Sequence, residues 1–245
     1  MYMFVISLIL VSSVSAEPSQ MKEDEPKPCC SPSSFTQDLY GATTSLKEGQ
    51  LLEVLFKVFL AYDSIEEKIS SSYRLGFTNG TEEYIRTIID YKQNEAYTIF
   101  KEAMGVTCYK HTIETGFEYY CLPEDAEYVR STTLGDRALD VDIWKATEES
   151  DSVTTQAVIV HQKSECIPIH YVYRTFDSQT DEQLDISNIH VSNFKLGICD
   201  KDVFHVPDAC HQSVLSKEEP KLPKHMLKLR RLGLTRGLGF NFGKN

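Results

Sequence analysis

The chain has 245 residues, with 25 Lys plus Arg against 36 Asp plus Glu, a formal charge of −11 and a pI near 5.1. At 41% hydrophobic residues it is too apolar for a disordered chain, and at 25% charged residues too polar for a bundle of membrane helices. The acidic balance argues against a general nucleic-acid binder, which needs basic charge to displace counterions from phosphate. The length suffices for one well-filled core or two small ones.

In chain order, Met1 to Val11 is mostly apolar and too short to span a bilayer, and it exits through Val14-Ser15-Ala16. That reads as a signal peptide over residues 1–16, although no Lys or Arg precedes the apolar run; a buried first strand is the alternative. On the signal reading the mature chain starts near Glu17, is secreted, folds in an oxidising compartment and has no transmembrane segment. Residues 17–28 are polar, with Pro18, Pro26 and Pro28, and read as a flexible arm.

From Leu51 the texture is that of strands. Leu51 to Asp63 places Val54, Phe56, Val58, Leu60 and Tyr62 on one face and Leu55, Phe59 and Ala61 with Lys57 on the other. Both faces are largely apolar, which predicts a central strand. Further strands are predicted over Lys68 to Arg74, Glu83 to Tyr91, Ala96 to Lys101, Val106 to Ile113, Leu139 to Trp144, Thr154 to His161, Ile167 to Thr175 and Leu184 to Phe194. Pro123 to Ser131 suggests one short helix and Asp200 to Phe204 a single helical turn. Many strands at short spacing with few helices mean an antiparallel all-β fold, a sandwich or an open barrel. The predicted layout is a single β domain over residues 29–215, followed by a basic tail over 216–245.

That tail changes sign. From Lys221 to Asn245 there are seven basic residues and no acid, which leaves 18 basic against 36 acidic side chains on the rest. A solvated, disordered tail is the favoured reading. Docking onto an acidic surface, and proteolytic release after Arg230-Arg231, are the sharper ones.

Seven cysteines in a secreted chain mean disulfides, with at least one Cys left over: Cys29, Cys30, Cys108, Cys121, Cys166, Cys199 and Cys210. Asn79-Gly80-Thr81 is an N-glycosylation sequon in a turn-like stretch, used or unused. No nucleophile elbow, zinc-protease helix, phosphate loop, calcium loop or dinucleotide fingerprint occurs, so no enzyme is predicted and no cofactor beyond a possible calcium ion. Asp136, Asp140 and Asp142 lie close together and offer hard oxygen ligands for weak calcium binding; a solvated acidic loop is the blander reading.

One ordered set of spacings goes beyond composition. It runs from Cys29-Cys30-Ser31-Pro32 through Tyr62-Asp63, Tyr84, Tyr91-Lys92, Tyr97-x-Ile99 and Cys108 to Trp144, which closes Leu139-Asp-Val-Asp-Ile-Trp. It continues with Cys166-Ile167-Pro168-Ile169 and ends on Gly197-Ile198-x-Asp200-x-x-Val203-Phe204-x-x-Pro207-x-x-Cys210. In these features the chain resembles the ependymin-related family, of an invertebrate type to judge by Cys121 and Cys199. The resemblance implies a secreted, often glycosylated, non-enzymatic protein, extracellular or lysosomal, calcium-binding, associated with extracellular matrix and commonly dimeric. It implies two stacked antiparallel sheets curved into a half-barrel, related to bacterial lipoprotein carriers, with an apolar pocket for fatty acyl chains. It also implies that Cys29 pairs with Cys166 and Cys108 with Cys210. Cys121 with Cys199 is then inferred as a third pair, leaving Cys30 as the odd thiol. The residues after the first Cys-x-x-Pro depart from the family pattern, and the tail lies outside the resemblance.

Candidate pocket-lining residues are Phe56, Val58, Tyr97, Ile99, Ile169 and Tyr171, although apolarity on both faces leaves open which face points inward. Aromatic strands of this kind line a cavity or fill a solid core. Two functions therefore stand: a secreted carrier of a fatty acyl or lipid ligand with weak calcium affinity, and a matrix or signalling glycoprotein acting through its surface.

Overall fold

The computed structural model describes residues 25–47, 50–102, 105–150 and 152–210. The signal-like segment 1–16, most of the polar arm and the basic tail from Lys221 lie outside the described residues.

Eleven antiparallel strands form one continuous, curved, open sheet. They are β1 (Ser34–Lys47), β2 (Gln50–Asp63), β3 (Lys68–Phe77), β4 (Glu82–Asp90), β5 (Glu95–Glu102), β6 (Gly105–Thr112), β7 (Glu127–Leu134), β8 (Leu139–Glu149), β9 (Val153–Gln162), β10 (Pro168–Asp177) and β11 (Gln183–Leu196). The spatial order is β6-β5-β4-β3-β2-β1-β11-β10-β9-β8-β7. Every neighbour but one is a sequence neighbour, so short turns suffice; only β1 and β11 join distant parts of the chain. The expected all-β curved half-barrel is present, and its two limbs are joined through this β1–β11 ladder into a single sheet.

Two elements depart from the sequence reading. Pro123 to Ser131 is not a helix: Pro123 and Ala126 bound a tight turn, and Glu127–Leu134 is an edge strand paired to β8. The ring of Tyr128 meets Trp144 edge-on at 5.4 Å, so tertiary pairing overrides a weak local helical pattern. β1 is a central strand that the sequence reading did not predict. Its inward side chains, Phe35, Gln37, Leu39 and Thr43, mix polar with apolar, so its alternation is faint.

The inner face carries the main core, with Leu39, Val58, Leu60 and Tyr62 from β1 and β2, Ile69 and Leu75 from β3, and Trp144, Ile159, Tyr171 and Ile189 from the other limb. A sheet this open would leave that face wet. It is covered by a crossing segment between β6 and β7, whose Phe117 packs at a tilt on Tyr62 and whose Tyr120 packs tilted on Tyr62 and edge-on to Phe35. The outer face is covered over β3 to β6 by the chain after β11. There Ile88 and Ile99 pack with Cys210, and Val206 and Cys108 lie beside them. Arg86 fastens this segment: its guanidinium donates to the carbonyls of Val203 (2.9 Å), Asp202 (3.3 Å) and His205 (3.4 Å) around the 3-10 turn Lys201–Phe204. That turn falls within the stretch where a single helical turn is predicted.

Candidate functional site: a tyrosine-lined cavity under the crossing segment

Disulfides fix the cover to the sheet. Cys29 is joined to Cys166, where β10 begins, and Cys108 of β6 to Cys210. Cys30 is joined to Cys121, and Cys199 is free and exposed. This corrects the inferred Cys121–Cys199 pair and the assignment of Cys30 as the odd thiol. The reason is backbone geometry: Cys30 and Cys121 face each other in an antiparallel bridge, with the Ser31 amide donating to the Tyr120 carbonyl and the Leu122 amide to the Cys29 carbonyl. Cys199 lies beyond the end of β11, where the chain turns toward the outer face.

Between the crossing segment and strands β8 to β10 lies a cavity of about 400 Å³. That falls within the range of small-molecule sites, roughly 300–1,000 Å³. Its floor is apolar, with Ile69, Ala146, Ala157 and Ile159, and its aromatic walls are Tyr62, Tyr120, Tyr171 and Tyr173. The hydroxyls are organised. The Tyr120 amide donates to the Tyr62 oxygen at 3.2 Å, and the Tyr171 hydroxyl donates to that of Tyr120 at 3.4 Å. Burial pushes the phenols of Tyr120, Tyr171 and Tyr173 above their ordinary range, so they stay neutral. Three exposed carboxylates, Glu118, Asp125 and Glu148, also line the cavity and mark its mouth.

Besides the phenols, the imidazole of His161, at the end of β9, is buried in the cavity wall. Burial pushes its imidazole down to about 4, so the ring is neutral at physiological pH. It stands edge-on to Tyr171, with ring centroids 6.2 Å apart, and its Nδ1 lies 3.3 Å from the Cys166 sulfur. A second buried acid, Asp185 on β11, is raised to about 6 by burial, which the neighbouring Thr175 hydroxyl offsets only in part. Asp185 and Thr175 face each other across the β10–β11 ladder on the inner face, next to Thr155, which lines the cavity.

The candidate lining residues scatter. Tyr171 lines the cavity. Phe56 and Val58 lie on the inner face but in the solid core of the β1–β3 limb. Tyr97 and Ile99 point to the outer face, under the chain that ends at Cys210. Ile169 sits half-buried at the bulge between Pro168 and His170, outside the lining. The face ambiguity of apolar strands explains the errors on β5, where inward Ala96 and Thr98 are less apolar than outward Tyr97 and Ile99. The cover residues Tyr119 and Tyr120 and the floor residue Ala157 were missed; the Tyr119-Tyr120-Cys121 triplet, aromatic and disulfide-bonded in a non-strand stretch, was the available signal.

Asp136, Asp140 and Asp142 do not gather. Asp136 and Asp140 are exposed, while Asp142 is buried and accepts a hydrogen bond from the Ser131 hydroxyl. Among the described residues, the one group of His, Cys, Asp or Glu donors close enough to share an ion is Cys29, His161 and Cys166, and its two sulfurs are bonded to each other. Asn79 is exposed at the tip of the β3–β4 hairpin, its side-chain oxygen accepting from the Thr81 amide (3.0 Å) and hydroxyl (2.7 Å). Among the described residues no helix is long and apolar enough to cross a membrane.

Among solved structures, the chain is similar to a domain assigned as an outer membrane lipoprotein-sorting protein from Vibrio parahaemolyticus. Identity is 8%, with 69% of this chain and 88% of that one covered and a TM-score of 0.31. It is also similar to a LolA superfamily protein from Nitrosomonas europaea, at 12% identity, 70% and 89% coverage and a TM-score of 0.27. A DUF1329 family protein from Desulfovibrio piger aligns at 10% identity, 73% and 91% coverage and a TM-score of 0.24. Likeness this distant carries no argument about a ligand. No curated protein matches the sequence. The Ependymin family model matches residues 79–210, more than half of the 245, from the sequon at Asn79 to the disulfide-bonded Cys210. On that match the chain belongs to the ependymin family.

Proposed function

We propose that this is a secreted, non-enzymatic carrier that holds the apolar chain of a lipid in the cavity under the crossing segment. The observation that carries the reading is the cavity itself: about 400 Å³, apolar-floored, tyrosine-walled and roofed by a segment disulfide-bonded to the chain that leads into β1. A core selected only for stability packs to near-crystalline density and leaves few voids. Secretion is supported by the apolar start of the chain and by three disulfides of long sequence separation, which persist in oxidising compartments.

The test is displacement of a neutral fluorescent probe by fatty acyl monoglycerides of increasing length. Each buried methylene contributes about 0.8 kcal/mol, so affinity should rise with length until the cavity is filled. Ile159→Asp places a charge on the cavity floor and should abolish binding in a protein that still folds. Affinity independent of chain length, or binding indifferent to Ile159→Asp, would refute the carrier reading and favour a glycoprotein that acts on matrix or cells through its surface.

A further inference from the structure

His161 is the polar side chain that the fold buries at the cavity without giving it a full set of partners. It is 4% exposed, it lines the cavity, and among the described residues its Nε2 has no hydrogen-bond partner. Its tautomer follows from its other nitrogen. Nδ1 faces the Cys166 sulfur at 3.3 Å, and that sulfur is bonded to Cys29. A disulfide sulfur carries no hydrogen and can only accept, so the ring proton sits on Nδ1. Nε2 is therefore a bare lone pair. Burial keeps the ring from acquiring a second proton near neutral pH. A buried acceptor left unpaired is costly, which makes it an anomaly in an apoprotein and an asset in a complex.

The charged lining has the same polarity. Glu118, Asp125 and Glu148 are acceptors when ionised, and among the described residues no Lys or Arg lines the cavity. A carboxylate or phosphate head group would meet neutral tyrosine hydroxyls but no cation among the described lining residues and no proton on His161 Nε2, and it would face three like charges at the mouth. A hydroxyl or an ammonium would find an acceptor at either depth.

Resting on the carrier reading above, we infer that the ligand of this cavity is an amphiphile whose head group donates hydrogen bonds, a hydroxyl or an amine, and that His161 Nε2 accepts from it. A free fatty acid is then a poor ligand, whereas long-chain alcohols, acylglycerols and long-chain amines share the required chemistry. His161 acts as a specificity determinant: the apolar floor sets chain length, and the imidazole sets the head group. The Cys29–Cys166 disulfide takes a part beyond fastening the segment, because it fixes which nitrogen of His161 is free.

The experiment compares dodecanol, dodecylamine and dodecanoate as displacers of N-phenyl-1-naphthylamine, a neutral apolar fluorophore, from the oxidised full-length protein near neutral pH. Dodecanol and dodecylamine are expected to bind at least about tenfold more tightly than dodecanoate. His161→Phe keeps an aromatic ring against Tyr171 but removes the acceptor, so it should weaken dodecanol about tenfold and leave dodecanoate unchanged. Dodecylamine binding much tighter than dodecanol would point to the mouth carboxylates as the main donor acceptor and support an amine as the ligand class. Dodecanoate binding as tightly as the alcohol, or a His161→Phe loss that is equal for all three, overturns the inference. The wild-type ranking decides it even where the variant does not fold. Probe binding that rises with chain length but ignores the head group overturns this inference alone; absence of saturable probe binding overturns the carrier reading beneath it.

Discussion

Cys30 is bonded to Cys121, one residue after Cys29 takes Cys166, so two adjacent cysteines tie the start of the domain to both the crossing segment and β10. Together they make the cavity's roof part of the sheet rather than a free loop. The sequence separation of 91 residues implies a large entropic effect on the unfolded chain, about 4–5 kcal/mol in the loop-closure account. Replacing both Cys30 and Cys121 with Ser should lower stability by roughly that amount or less, and increase proteolysis within residues 113–126 before global unfolding. Alkylation without reduction should label Cys199 alone among the seven, as read by peptide mapping. Labelling at Cys30 instead would overturn the pairing.

Tyr62 supports the roof from below. Its hydroxyl accepts the Tyr120 amide at 3.2 Å, in a cluster where Phe35, Tyr62 and Tyr120 pack ring to ring. Tyr62→Phe keeps the packing but leaves that amide unpaired, at a cost of about 1–3 kcal/mol. Hydrogen exchange at the Tyr120 amide should accelerate well beyond that of neighbouring β2 amides. Unchanged protection at Tyr120 would mean that the rings alone hold the segment.

Gly41 is required at the centre of the sheet by a close approach, not by a turn. A Cβ there would meet the Asn188 carbonyl oxygen of β11 inside contact distance and the Phe56 ring at 2.5 Å. Gly41→Ala should destabilise the protein by at least about 1–3 kcal/mol, because neither a ladder carbonyl nor a core ring yields cheaply. Equilibrium urea unfolding checks it; a variant as stable as the wild type would show that the β1–β11 ladder can open to admit a methyl group.

Asp185 and His161 impose opposite pH dependences. The acid's folded value, about 6, lies above its ordinary 3.8, so the folded state holds the proton more tightly and stability falls as pH rises from about 4 to 6. The imidazole's folded value, about 4, lies below its ordinary 6.5, so its contribution falls as pH drops from 6.5 to 4. Each shift corresponds to about 3 kcal/mol, and over the shared window they largely cancel. Relative to wild type, Asp185→Asn should leave the His161 titration unopposed and steepen acid destabilisation. His161→Phe should do the reverse, with stability rising on acidification. Denaturant midpoints across that range decide it: parallel profiles for wild type and both variants would show that neither group titrates as its burial dictates.

Much of this architecture follows from local sequence. The two-sided apolar run Leu51–Asp63, the alternation in Ile167–Thr175, and turns at Asn79-Gly80 and between Tyr91 and Glu95 carry their own signal because a strand's two faces repeat every second residue. The ordered Cys, Trp and Pro spacings made the family legible for the same reason: they are fixed by position, not by packing. What local sequence could not supply was decided by contacts between distant residues. β1 is central because β2 and β11 bury it, although Gln37, Gly41 and Thr43 leave it only a faint apolar alternation and no strand was predicted there. Tyr97 and Ile99 turn outward because the chain around Cys210 covers that side, and only the fold says which apolar face is inside. Cys30 takes Cys121 because residues 91 positions apart converge at the roof, and His161 meets a sulfur that cannot donate because Cys29 and Cys166, 137 positions apart, are bonded beside it. A cavity is space enclosed by several elements at once, so the sequence by itself determined the sheet and its family, and the tertiary structure determined where the cavity lies.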